Sequence, residues 1–136
     1  METLVHLGQK VNQMYDAFNR RDLKFITDCL STDCIWEVMG GADVPFSGIY
    51  HGPNDVQNFF GKMGEAVDFT DLTCEHILEN GNIVIASGNF NAVARNTNKR
   101  FSSFWCMTWE FNDDEQVVHF RDSFDTAACA RALREK

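Results

Sequence analysis

A strict alternation of side-chain type from Phe101 to Phe111 is the feature that most constrains the fold of this chain. Every second residue of this run is, with one exception, large and apolar, which indicates a β-strand with one buried face. These residues are Phe101, Ser103, Trp105, Met107, Trp109 and Phe111. A polar segment, residues 112–115, separates the run from a second β-prone run that begins at Val117. The two runs are therefore predicted to pair as an antiparallel hairpin.

The second run places a carboxylate among aromatic side chains. Phe120, Asp122 and Phe124 share one parity, so Asp122 is predicted to face the apolar side of the sheet. An ionised carboxylate in an apolar setting is costly, and such a group is usually paired, protonated or used in chemistry. Two interpretations stay open. Asp122 is either a catalytic acid or part of a solvated strand end, since Arg121 and Asp125 are close by.

Composition and charge limit the class of protein. The 136 residues, 44% hydrophobic and 24% charged, are typical of one folded domain that spans residues 1–136. The formal charge is -8 and the basic residues form no stripe, so neither nucleic acid nor an anionic membrane is expected as a partner. The amino terminus lacks the pattern of a signal peptide, and no stretch reaches membrane-spanning length, so a cytoplasmic location is expected.

The cysteines and histidines show neither disulfide nor metal-site spacing. Five cysteines are an odd number without a CxxC pair, which favours free, mostly buried thiols. The four histidines are scattered and lack HxxxH or HxH spacing. We therefore expect no metal and no cofactor.

Three helices are predicted in the first half of the chain. Apolar residues recur at helical spacing in residues 4–19, with Thr3 as the N-cap. Asp22 can cap a shorter helix that ends before Ser31. Gly52-Pro53 predicts the start of a third helix, because proline fits the first helical turn.

Strands dominate the second half. After one early strand at Cys34–Met39 and an irregular segment that reaches Tyr50, residues 69–78 and 83–94 are predicted to pair through a tight turn at Asn80-Gly81. Together with the later hairpin they form a four-stranded meander. Helices followed by a meander predict an α+β fold, in which the helices cover the apolar face of a curved sheet and a pocket forms wherever side chains leave space.

Several side chains are candidates for binding or chemistry besides Asp122. His76 shares its parity with Cys74 and Leu78 and could point inward to form an acid-base dyad with Asp122, or else be exposed. Six aromatic residues are candidates for the wall of a pocket for a flat apolar ligand, with a plain core role as the alternative. They are Trp36, Tyr50, Phe60, Phe90, Trp105 and Trp109.

Three motifs resemble the SnoaL-like polyketide cyclases: MYDAFNRRDL at residues 14–23, FSGIYHGP at residues 46–53 with the following Val56 and Phe59-Phe60, and RDSFD at residues 121–125. That family belongs to the nuclear transport factor 2-like (NTF2-like) superfamily, which also holds ketosteroid isomerase and limonene epoxide hydrolase. The resemblance implies a cone-shaped barrel in which a curved, mainly antiparallel sheet wraps three amino-terminal helices. It also implies a homodimer through the outer sheet face, where Phe104, Cys106 and Thr108 are expected.

The resemblance places Asp122 at the position of a cavity-facing acid on the last strand of limonene epoxide hydrolase. Other positions depart from the enzymes. Val38 stands where ketosteroid isomerase has its base, and Met14 stands where it has its helix tyrosine, with Tyr15 one place away. Isomerisation by that mechanism is therefore disfavoured.

The middle strand departs as well. Gly88 and Phe90 stand where limonene epoxide hydrolase has an arginine and an aspartate, so its mechanism is disfavoured too. Two hypotheses remain. One is a cofactor-free cyclase or isomerase that uses Asp122, with a raised pKa, for proton transfer on a small hydrophobic carbonyl compound. The other is a non-catalytic module that binds a small molecule or docks a protein.

Overall fold

The computed structural model describes residues 6–135, and the predicted N-cap Thr3 lies outside them. The elements in chain order are α1 (His6–Asn19), α2 (Leu23–Asp28), β1 (Leu30–Val38), β2 (Gly48–His51), α3 (Gly52–Ala66), β3 (Val67–Asn80), β4 (Ile83–Ala94), β5 (Arg100–Phe111), β6 (Val117–Phe124) and α4 (Thr126–Leu133). The predicted α+β class, with three helices before the meander, is confirmed. None of the helices within residues 6–135 is long and apolar enough to cross a membrane.

Six strands form one curved, open sheet in the order β2-β1-β6-β5-β4-β3. The predicted meander is the run from β3 to β6, whose neighbours are all antiparallel. The first strand joins the sheet next to the last one, because β1 and β6 pair in parallel. This pairing sets Val38 of β1 directly beside Asp122 of β6. Strands from the first and the last third of the chain are thus neighbours in one sheet, and the helices cover its inner face.

The helices present apolar faces to that inner face. Val11, Met14 and Tyr15 are buried on α1, and Phe59 and Phe60 are buried on α3. These spacings are those of an amphipathic helix. The local sequence of each helix therefore determines which of its faces packs against the sheet.

Two of the predicted helix starts are confirmed. The side chain of Asp22 accepts a hydrogen bond from the Phe25 N–H at 3.3 Å, as an N-cap of α2 does. Helix α3 begins at Gly52 and carries proline in its first turn. A cap and a proline act within one helical turn, which is why the sequence alone located both starts.

The structure corrects the sequence prediction in three places. The first strand begins at Leu30 instead of Cys34, and the segment predicted to be irregular up to Tyr50 contains the short strand β2. The helix α4 was not predicted at all. Asp125 caps it by accepting the Ala128 N–H at 3.1 Å, and Cys129 packs against the core. Eight residues rich in alanine carry too weak an apolar period to be recognised in the sequence.

Candidate ligand-binding cavity

A cavity of about 70 Å³ lies between α1, α3 and the inner face of the sheet. Every element except β2 contributes to its wall, which is almost wholly apolar. The wall residues are Met14, Tyr15, Phe18, Ile26, Trp36, Phe46, Phe59, Phe60, Met63, Phe69, Leu72, Phe90, Phe101, Trp105, Met107, Trp109, Phe120, Asp122, Phe124 and Cys129. Asp122 is the carboxylic acid in that wall, so it governs the electrostatics of the cavity.

Asp122 is positioned by the alternation of side chains along β6 and by the pairing of β6 with β5 and β1. It stands directly opposite Met107 on β5 and beside Val38 on β1, and Phe120 and Phe124 lie on either side of it along β6. Its Oδ1 atom is fully buried and has no hydrogen-bond partner among the described residues. The residue keeps some accessible surface, but this surface belongs to a side chain that lines the cavity.

The pKa of the Asp122 carboxyl is set by its burial away from water. Desolvation raises the pKa of its carboxyl from 3.8 to about 7, because hydrocarbon neighbours cannot stabilise the charged form. Arg121 points to the other face, where its Nε donates to Glu37 Oε1 at 3.2 Å. Within residues 6–135 no cation lowers the pKa of Asp122, so the effect of desolvation is not offset.

Tyr15 is a second polar group of the wall, and sequence analysis did not choose it as a site residue. Its hydroxyl donates to Met107 Sδ at 3.2 Å and accepts from Trp109 Nε1 at 3.0 Å. Burial raises the pKa of this hydroxyl. The resemblance had aligned Met14 with a catalytic tyrosine, yet both residues line the cavity, since the apolar stripe of α1 is wide enough for two adjacent positions.

Five of the six predicted aromatic wall residues line the cavity, and Tyr50 does not. The Tyr50 hydroxyl donates to the Phe46 carbonyl oxygen at 2.8 Å, and its ring packs against Phe59 with centroids 5.3 Å apart. Tyr50 therefore supports the residues of the wall without reaching the cavity. Phe46 and Phe59 line the cavity instead. Phe46 could not be identified from the sequence, because it lies in a glycine-flanked loop where no periodicity indicates which side chains point inward.

The predicted dyad of His76 with Asp122 is wrong in this structure. Two register shifts interrupt the pairing of β3 with β4, and one of them falls between Cys74 and His76. An extra residue at a β-bulge reverses the parity of the residues that follow it. Cys74 consequently packs on the core, whereas His76 is exposed on the outer face.

Gly88 explains why the arginine of the epoxide hydrolases has no counterpart here. A Cβ atom at Gly88 would lie 1.8 Å from the Thr73 carbonyl oxygen and 2.8 Å from Trp105 Cζ2. No side chain fits at this position without moving the backbone of β3. The Trp105 indole occupies the space instead, and Phe90 forms apolar wall two residues further on.

Within residues 6–135, no group of three or more histidine, cysteine, aspartate or glutamate side chains is close enough to hold a metal ion. The wall contributes a thiol, Cys129, and burial raises its pKa to about 11, which keeps it protonated at neutral pH. Of the two titratable wall groups Cys129 and Asp122, Asp122 has the pKa closer to neutral pH.

Comparisons with known proteins agree with this architecture. A family model described as a SnoaL-like domain matches residues 11–120. An NTF2-like protein from Burkholderia pseudomallei is 26% identical with a TM-score of 0.86, over 93% of this chain and 96% of that one. TerC, co-crystallised with polyporic acid, is 18% identical with a TM-score of 0.83, over 93% of this chain and 97% of that one, a likeness of fold.

One curated relative gives a shorter match. Patulin synthesis protein F of Aspergillus clavatus is 29% identical in a 90-residue alignment that covers 62% of this chain and 46% of that protein. The chain therefore spans about half the length of this relative.

Proposed function

The chain belongs to the SnoaL-like domain family within the NTF2-like superfamily, and on that premise we propose that its cavity binds a compact, flat, apolar carbonyl compound on which Asp122 transfers a proton. The observation that carries the proposal is the carboxyl of Asp122, buried without a partner on an apolar wall, where desolvation raises its pKa to about 7. A general base works best when its pKa is near the working pH. An ordinary surface aspartate would be too weak a base.

The reaction follows from this chemistry. The carboxylate of Asp122 takes a proton from the carbon next to the carbonyl, the electrons of that C–H bond form the enolate, and Asp122 becomes a carboxylic acid. The acid then returns the proton to another carbon of the same molecule, which is an isomerisation, or to the oxygen formed when the enolate closes a ring on a second carbonyl, which is a cyclisation. Both routes return Asp122 to its starting state, so the reaction as written uses no cofactor.

The relatives support a small organic molecule as the ligand. TerC shares the fold and was co-crystallised with polyporic acid, and the Aspergillus relative is named for patulin synthesis. The wall of this chain adds its own argument, since rings such as Trp36, Phe60 and Trp109 provide flat apolar contact area.

A hydrogen–deuterium exchange experiment tests the catalytic proposal with 1-indanone as the probe. The protons next to its carbonyl exchange with D₂O, and proton NMR follows the loss of their signal. We expect the wild-type protein to accelerate this exchange and Asp122→Asn to lower the protein-dependent rate by at least about a hundredfold. Binding of 1-indanone is expected to survive the substitution.

A non-catalytic binding module is the second candidate. It is favoured by the wall itself, because Asp122 has no second acid and no histidine beside it among the described wall residues. In the same experiment, binding of 1-indanone by the wild-type protein without faster exchange would support the binding module and reject proton transfer.

We also propose a homodimer through the outer sheet face. Leu78 on β3 and Ile85 on β4 are direct partners on the outer face and are 70% and 44% exposed, and Phe104, further along the same face on β5, is 57% exposed. Large apolar side chains exposed on one face, with Leu78 and Ile85 forming an apolar patch, are typical of an interaction surface. A second copy of the chain is the proposed occupant, because the same patch on both copies makes a closed, self-complementary contact.

A further inference from the structure

Two buried side-chain polar atoms lack a hydrogen-bond partner within residues 6–135, and both belong to the cavity wall. They are Asp122 Oδ1 and Trp36 Nε1. Asp122 is used in the function proposed above, but the Trp36 N–H is not. Trp36 is only 3% exposed, so bulk water does not satisfy this donor. Buried polar groups without partners are rare, and each one needs a physical explanation.

The other two indoles of the chain are paired within the protein. Trp105 Nε1 donates to the Asn89 carbonyl oxygen at 3.1 Å, and Trp109 Nε1 donates to the Tyr15 hydroxyl at 3.0 Å. All three tryptophans line the same cavity. The fold thus provides an acceptor for two of its indole N–H groups and leaves the third without one.

The surroundings of Trp36 explain why no protein acceptor is within reach. Its ring stacks on Phe120 with centroids 3.9 Å apart, and Phe59, Phe60 and Trp109 surround it at 5.8 to 5.9 Å. These aromatic neighbours hold the indole rigidly and offer it no oxygen. A rigid, desolvated donor binds an acceptor strongly when one is supplied from outside the protein.

Trp36 and Asp122 are close enough for one compact molecule to meet both. In the parallel pairing of β1 with β6, Trp36 lies beside Phe120 and Val38 lies beside Asp122. With strands about 4.8 Å apart and a rise of about 3.3 Å per residue, the Cα atoms of Trp36 and Asp122 are about 8 Å apart. Both side chains come from the inner face of the sheet.

We propose that the Trp36 indole N–H donates to the carbonyl oxygen of the ligand while Asp122 faces the acidic C–H beside that carbonyl. This inference rests on the proposed function and extends it, since it assigns the polar end of the ligand to one residue. When Asp122 removes the proton, negative charge develops on the carbonyl oxygen, and the N–H stabilises it. Return of the proton from Asp122 restores the C=O bond. The ligand class is a flat cyclic ketone or lactone.

NMR of the ¹⁵N-labelled wild-type protein tests the contact directly. The three indole N–H resonances are assigned with the variants Trp36→Phe and Trp105→Phe, or by elimination with Trp105→Phe and Trp109→Phe. Saturation with 1-indanone is expected to move the Trp36 resonance downfield. Indane, which has the same rings without the oxygen, is expected not to produce this shift. A Trp36 resonance that responds equally to both compounds overturns the proposal.

Affinity measurements give a second, independent test. The wild-type protein is expected to bind 1-indanone roughly fivefold more tightly than indane, the ratio that one hydrogen bond supplies. Trp36→Phe is expected to reduce that ratio to about one. Trp105→Phe is the matched control, because it truncates the same ring in the same wall but removes an N–H that already has a protein acceptor, so the ratio is expected to remain.

The outcomes separate the two proposals. Binding of both compounds with a ratio that survives Trp36→Phe overturns the role of Trp36 and leaves the cavity function standing. Failure of the wild-type protein to bind either compound overturns the proposed function for this ligand class, and the role of Trp36 with it.

Discussion

The indole N–H of Trp109 donates to the hydroxyl oxygen of Tyr15 at 3.0 Å, and this bond joins β5 to α1 in the wall of the cavity. The Tyr15 hydroxyl in turn donates a hydrogen bond to Met107 Sδ at 3.2 Å. Met107 is the register partner of Asp122 on the neighbouring strand, so these two hydrogen bonds link α1 to the strand position beside the acid. A change in any of these groups is expected to affect both stability and the environment of Asp122.

Tyr15→Phe is expected to destabilise the protein by about 1–3 kcal/mol, because it leaves the buried Trp109 N–H without an acceptor. Met107→Leu is the matched comparison. It conserves volume and removes only a weak sulfur acceptor, so its expected cost is under about 1.5 kcal/mol. Urea unfolding of the two variants and the wild-type protein measures both values. An equal or larger cost for Met107→Leu would show that the Trp109–Tyr15 bond does not dominate.

The acid Asp122 is expected to make stability depend on pH. Its folded pKa of about 7 is above the unfolded value of 3.8, so the folded state binds the proton more tightly. Its contribution to stability is therefore fully present below the unfolded pKa and is lost as the pH rises towards the folded pKa. The loss is bounded by about 4 kcal/mol, since each pKa unit corresponds to about 1.4 kcal/mol.

Asp122→Asn removes that titration and supplies the test. Urea unfolding at pH 5 and pH 8 is expected to show that the variant gains stability relative to the wild-type protein as the pH rises. Stability curves that stay parallel between these two pH values would rule out a raised pKa at Asp122.

Gly88→Ala is expected to be strongly destabilising, by about 1–3 kcal/mol or more, because the new Cβ would lie 1.8 Å from the backbone oxygen of Thr73. Gly64→Ala is the control, since Gly64 lies inside α3 and a Cβ there meets no atom within 4 Å. That variant is expected to stabilise the protein by about 0.5–1 kcal/mol through helix propensity. Thermal unfolding compares the pair, and a well-folded Gly88→Ala with unchanged stability would contradict the close approach of the strands.

A homodimer is expected in solution at micromolar concentration, and Ile85→Lys is expected to convert it to a monomer by placing a charge in the apolar patch of the outer sheet face. Gln57→Lys adds the same charge on the exposed side of α3 and is expected to leave the dimer intact. Light scattering measures the mass of all three proteins. A monomer mass for the wild-type protein would remove the proposal.

All five cysteines are expected to carry free thiols. Thiol titration of the unfolded, unreduced protein should count five of them. In the native protein, Cys29, Cys34 and Cys129 are buried, so these three are expected to react no faster than the protein opens. A count of three or fewer, or stoichiometric zinc in elemental analysis, would be inconsistent with this prediction.

The sequence by itself determined the features that depend on neighbouring residues along one strand or helix. The alternation of β5 and β6 was enough to place Trp105, Trp109 and Asp122 on one inner face, because side chains of a regular strand point to opposite faces in turn. The cap at Asp22 and the start of α3 at Gly52 were equally local. The resemblance extended these local patterns to the fold and its family.

Only the tertiary structure decided the features that depend on a partner from elsewhere in the chain. His76 faces outward because a bulge in the pairing with β4 reverses the parity of β3, and a bulge is a property of two strands. Tyr50 does not line the cavity, because its hydroxyl donates a hydrogen bond to the carbonyl oxygen of Phe46 in the loop before β2. The indole of Trp36 lacks an acceptor because four aromatic rings from three other elements enclose it. The period of the sequence predicts the face of a strand or helix on which a side chain lies. The packing of segments that are distant in the chain decides which buried polar atoms have a partner within the protein and which can bind a ligand.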